Sequence, residues 1–112
     1  LFERRFEIKD NLFVSDLYKK TFTESKILFV EKIQSIIDGA ATLIPQNKLP
    51  KERKRGFHLR KEMSQIKQIC SDWDIEKQKR YFRATYFPPF TPPVMVSGSG
   101  SIKLNMDWYN SL

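Results

Sequence analysis

Apolar and polar residues alternate at the start of the chain, with Phe2, Arg4, Phe6 and Ile8 on one side and Glu3, Arg5 and Glu7 on the other. A period close to two predicts a short strand over residues 2–8. Lys9-Asp10-Asn11 is turn chemistry, after which Ser15 or Asp16 is placed to cap a helix. From Leu17 to Asp38 there is no Pro or Gly, and Phe22, Phe29, Ile33, Ile36 and Ile37 recur at the intervals of a buried helical face. Ile27, Leu28 and Val30 widen that face, so the predicted helix needs cover on more than one side. At 1.5 Å per residue it would run roughly 33 to 37 Å, long for so small a domain and better suited to packing on the sheet of a larger body. Gly39 is its expected stop.

The pattern is more broken beyond this point. Pro45 and Pro50 keep residues 40–50 extended, with Thr42-Leu43-Ile44 as a brief strand. A basic loop follows, through Gly56, and Phe57 to Leu59 has the composition of a short strand. Met63, Ile66 and Ile69, three apart, suit one or two helical turns or an irregular segment. Asp74 is a good N-cap, with Glu76 in the first turn, for a helix over Ile75 to Ala84 that is basic on its exposed side and turns Phe82 and Ile75 inward. Four prolines between Thr85 and Val96 exclude helix and central strand. Val94-Met95-Val96, a Ser-Gly tip, and Ile102, Leu104 and Met106 alternating with Lys103 and Asn105 predict a hairpin.

Composition narrows the class. The chain has 112 residues, 40% of them hydrophobic and 13% aromatic, which is material for one modest core rather than a disordered tail. The formal charge is +7. Its excess gathers in Lys48, Lys51, Arg53, Lys54, Arg55, Arg60 and Lys61, and again in Lys77, Lys79, Arg80 and Arg83. Such runs favour anionic partners without choosing among nucleic acid, phosphorylated metabolites and acidic surfaces, and are more often a solvated loop. The single cysteine, Cys70, rules out an intrachain disulfide and a cysteine-cluster zinc site; it fits a reducing, cytoplasmic setting and reads as an inert thiol. No apolar run is long enough to span a membrane. The opening Leu-Phe-Glu-Arg-Arg is neither an initiator Met nor a signal peptide, and it reads as a truncated start.

Each chemical motif has a plain counterpart. The Pro-Pro pairs resemble ligands of aromatic grooves, but Tyr86, Phe87 and Phe90 lie among them and want burial, so a rigid segment packed on its own domain is the better reading. His58 is the only histidine; it lacks partners for a metal site or a catalytic relay and reads as structural. The stretch Lys79-Arg80-Tyr81-Phe82-Arg83 interleaves basic and aromatic residues as nucleic-acid binders do, but on a helix these side chains diverge.

The order of elements resembles a known family. Phe2-Glu3-Arg4-Arg5-Phe6-Glu7-Ile8, a polar turn, and a long helix ending Ile36-Ile37-Asp38-Gly39 are similar to the last strand and helix of the Rossmann-like catalytic domain of folate-dependent formyltransferases. Thr42 to Gln46 looks like the segment that leaves this helix. The Asp72-Trp73 pair, and then Phe82-Arg83-Ala84 running into Tyr86-Phe87-Pro88-Pro89, resemble that family's Asp-Trp … Ile-Arg-Ala signature, most of all in the branch that formylates nucleotide-linked amino sugars. The resemblance covers the chain to about residue 96.

It implies an α+β fragment, with residues 1–47 closing the catalytic domain and residues 48–112 forming a small C-terminal subdomain with a hairpin. It also implies transfer of a formyl group from 10-formyltetrahydrofolate to an amine. The family's catalytic Asn, His and Asp lie upstream of the strand with which this chain opens, so the chain alone is expected to be inactive and to need that N-terminal catalytic segment as its partner. Substrate-binding candidates are Arg83, at the signature arginine, and Tyr86 and Phe87. For Arg83 the alternatives are a brace at the junction of the two parts and a contact with the acceptor or its phosphates; for the aromatics, core and the mouth of the acceptor site. A methionyl-tRNA acceptor and a non-enzymatic basic binding module are the rival functions. Asp107-Trp108-Tyr109 suits a hairpin edge or a homodimer contact.

Overall fold

The computed structural model describes residues 2–49 and 58–112. The centre of the basic run, Lys51 to Arg55, and Phe57 of the expected short strand lie outside them; His58 and Leu59 are not in a strand. The described fold is mixed α+β: helix α1 (Val14–Ile37), a short 3-10 turn (Gln46–Lys48), helix α2 (Glu62–Ile66), strand β1 (Gln68–Cys70), helix α3 (Ile75–Thr85), strands β2 (Val94–Ser97) and β3 (Gly100–Lys103), and helix α4 (Met106–Ser111). Among the described residues no helix is long and apolar enough to cross a membrane. The chain divides into two compact units, one of Leu1–Glu7 with Lys19–Phe57 and one of Ile8–Tyr18 with His58–Leu112.

In the first unit the expected strand over residues 2–8 does not form. A strand needs a hydrogen-bonded neighbour, and the only sheet among the described residues pairs β1, β2 and β3. The segment instead lies along α1 through side chains. Arg4 is bonded to Glu24 and lies 3.5 Å from Glu31, while Lys20 donates to the Glu7 carbonyl at 2.9 Å and its ammonium sits 5.1 Å from the Phe6 ring centroid. The hydrogen bond to Glu24, followed by that carboxylate's charge, holds the Arg4 guanidinium above its ordinary pKa.

Helix α1 starts slightly earlier than the sequence implies. Asp16 acts from its first turn, where its carboxylate accepts the Phe13 amide at 3.4 Å. The helix ends as predicted. Gly39, at φ +68, takes the left-handed conformation that its missing Cβ permits, so that its amide reaches the Ile36 carbonyl at 3.2 Å and the Ala40 amide reaches Ser35 at 2.9 Å. The apolar face read as buried is not buried: Phe22, Phe29 and Ile37 are 61%, 62% and 70% exposed, and α1 has no buried residue. Thr42 to Ile44 forms no strand, for want of a partner among the described residues.

The second unit has a core. Asp74 caps α3, its carboxylate accepting the Lys77 amide at 2.9 Å as predicted. Strand β1, read as helical turns or an irregular segment, pairs in parallel with β2, Gln68 against Val94 and Cys70 against Val96, and α3 is the crossover that a parallel pair requires. Strands β2 and β3 form the predicted hairpin, Val94 against Lys103 and Ser97 against Gly100. But β2 is the middle strand of the sheet, a place the prolines were expected to exclude up to Val96; the last of them, Pro93, stands just ahead of the strand. Phe82 and Ile69 are wholly buried and Leu104 is nearly so. Ile75, expected on the inner face of α3, is exposed; it is the first residue of the helix. Met106 leaves the hairpin to begin α4, whose cap, Asn105, accepts the Trp108 amide at 3.0 Å. Asp107-Trp108-Tyr109 is therefore helical, and its rings close the core: Tyr109 stacks on Phe82 at 5.2 Å and Trp108 lies 5.3 Å from the same ring.

Candidate functional site

The residues singled out in the sequence separate onto two sides of the second unit. Arg83, in the last turn of α3, is half-buried; one guanidinium nitrogen donates to the Tyr109 hydroxyl at 3.1 Å and the other to the Asp10 carbonyl at 3.0 Å. It thus ties the end of α3 to α4 and to the turn that precedes α1. Tyr86 stacks on Phe82, with ring centroids 4.7 Å apart and planes within 16°. Both serve the core side. The buried polar groups nearby are satisfied: the Gln78 amide donates to the Trp73 carbonyl at 2.6 Å and the Thr85 hydroxyl to Tyr81 at 2.7 Å.

Phe87 goes the other way. The chain leaves α3 through a turn in which the Phe90 amide donates to the Phe87 carbonyl at 2.9 Å and the Pro88–Pro89 bond is cis. Phe87 packs on Phe90, centroids 5.5 Å apart, and on Tyr18 at 5.4 Å. Together Phe87 and Phe90 line an open cleft of about 940 Å³, at the upper end of what small-molecule sites occupy. Residues of α2 and those just before it, including His58, Arg60, Lys61 and Met63, line it as well.

Lys67, between α2 and β1, ties the two lining segments together. Its carbonyl accepts the Val94 amide at 2.9 Å, and its ammonium is bonded to the Thr91 carbonyl. An ammonium has three donors, and this contact uses one. Among the described residues no carboxylate forms an ion pair with Lys67, and no Asp or Glu lines the cleft. The cleft thus combines an aromatic and aliphatic lining with three cations, Arg60, Lys61 and Lys67.

His58 is exposed, its ring nitrogen 3.2 Å from the Glu62 carboxylate. Cys70 is a free, half-buried thiol in β1. Among the described residues no group of three or more His, Cys, Asp or Glu side chains is placed to hold a metal ion. The sequence pointed to Phe87 but not to Lys67 or Arg60 as its neighbours, because the cleft exists only once β1 pairs with β2. No family model, no curated protein and no solved structure matches the chain.

Proposed function

We propose that this chain is the C-terminal portion of a formyltransferase that moves a formyl group from 10-formyltetrahydrofolate to an amine, with a nucleotide-linked amino sugar as the acceptor class. The observation that carries the reading is Arg83. Arg83, which the resemblance aligns with the family's signature arginine, joins the end of α3 to the turn ahead of the long helix by bonds to the Asp10 carbonyl and Tyr109. An arginine that braces the entry to that helix fits a subdomain appended to a catalytic body. The bare apolar face of α1 fits the same picture, since Phe22, Phe29 and Ile37 need a covering surface, and the sheet of a catalytic domain would supply one.

Formyl transfer requires donors that polarise the formyl oxygen and a base that takes the proton of the attacking amine. The described residues do not fit that centre: His58 is exposed beside Glu62, and the cleft contains no carboxylate. No chemical step is assigned to this chain. Its part is to complete and position the acceptor end.

The test is to express the protein as its gene encodes it and to follow release of tetrahydrofolate from 10-formyltetrahydrofolate with a nucleotide-linked amino sugar as acceptor, and separately with aminoacylated initiator tRNA. Turnover with the amino sugar supports the proposal; turnover with the tRNA alone moves the acceptor and keeps the reaction. A gene product that binds no folate overturns it.

A further inference from the structure

The cleft between α2 and the proline–aromatic segment has a chemistry of its own. Its lining offers rings, Phe87 and the 62% exposed Phe90, together with Met63. It also offers Arg60, Lys61 and the half-buried Lys67, with no acid among the lining residues. The nearest acid described is Glu62, 3.2 Å from the lining His58, so Arg60, Lys61 and Lys67 leave a net positive field that solvent screens less in a concavity than on an open surface. Lys67 is already fixed by its bond to the Thr91 carbonyl, so little side-chain freedom remains to be lost when its other two donors take a ligand.

We propose that this cleft is a binding site for a small organic anion built on a flat ring, with its phosphate, sulfate or carboxylate on Lys67 and the Arg60–Lys61 pair and its ring against Phe90 and Phe87. A bare inorganic ion would leave the apolar lining wet, and a neutral ring would leave the cations unpaired; the cleft suits a molecule that supplies both. The proposal does not rest on the formyltransferase reading, because every residue in it belongs to this chain and the test requires no folate, no acceptor and no turnover.

The experiment is a titration of the full chain, followed by amide chemical shifts, with phenyl phosphate, thymidine monophosphate, inorganic phosphate and phenol. Phenyl phosphate is expected to shift Lys67, Thr91 and Phe90 saturably, and to bind more tightly than either phenol or inorganic phosphate. Thymidine monophosphate binding more tightly than phenyl phosphate would identify a nucleotide as the source of the ring; equal binding would identify a simple aryl anion.

Lys67→Met should weaken phenyl phosphate by about tenfold, the worth of a charge-assisted hydrogen bond. Because Lys67 also braces Thr91, the exposed double variant Arg60→Gln/Lys61→Gln provides a check that leaves the walls intact, with an expected loss of about threefold and a weaker salt dependence. Phe90→Ala should weaken the ring-bearing ligands by about fivefold and leave inorganic phosphate unchanged. Phenol and phenyl phosphate binding equally, or neither cation variant changing the affinity, overturns the proposal, as does the absence of saturable shifts at the cleft.

Discussion

The unit of Leu1–Glu7 with Lys19–Phe57 and the unit of Ile8–Tyr18 with His58–Leu112 are both supplied with aromatic residues but use them in opposite ways. In the first, Phe22 and Phe29 stand in solvent on a helix without a buried residue, and the extended residues beside it are held by ion pairs and cation–ring contacts. In the second, Phe82 is fully buried among Phe13, Tyr86, Trp108 and Tyr109. The difference is the presence of a surface to pack on. A single helix turns only one stripe toward any neighbour, whereas α3 lies against a sheet and α4 closes over it. Apolar content alone does not make a core; a second layer does.

The comparison breaks if Phe82 and Phe29 prove equally important. Phe82→Ala removes the largest fully buried side chain, and a loss of about 3–5 kcal/mol is expected, enough to unfold a unit with so few buried residues. Urea denaturation followed by the fluorescence of Trp73 and Trp108, both packed at this core, measures it directly.

Arg83→Met ranks next. It removes the donor of the part-buried Tyr109 hydroxyl and of the exposed Asp10 carbonyl, to which water has access, for about 1–1.5 kcal/mol. A double-mutant cycle with Tyr109→Phe should show that the two losses are not additive; full additivity would mean that the pair does not interact in solution.

Asp74→Ala should cost about 1 kcal/mol by removing the α3 cap, with Asp74→Ser recovering most of it in thermal denaturation. Smallest of all, Phe29→Ser should change stability by less than about 0.5 kcal/mol, because the ring it removes is already in water. A destabilisation comparable to that of Phe82→Ala would mean that α1 is covered in solution.

Local chemistry was legible in the chain wherever it needed no distant partner. Asp74 caps α3, Gly39 ends α1 and the Ser-Gly tip turns the hairpin, because each depends on the conformational preference or hydrogen-bonding reach of one residue over its next few neighbours. The candidate site was legible only in part. Phe87 was marked by its place among prolines, but Lys67 looked like any surface lysine until Val94 paired with its carbonyl.

The misreadings share one cause. Residues 2–8 alternate as a strand does and have no strand beside them, while Gln68–Cys70 is too short to show alternation and yet is the strand that begins the sheet. Alternation and helical spacing state what a segment is able to bury; they are silent on whether a partner lies within reach. The sequence by itself determined the Asp74 cap, the stop at Gly39, the hairpin and the helical run of α1. The tertiary structure decided which apolar faces were covered, which strands paired and that Arg83 and Phe87, four residues apart in sequence, serve opposite sides, because burial and pairing depend on contacts between segments far apart in the chain.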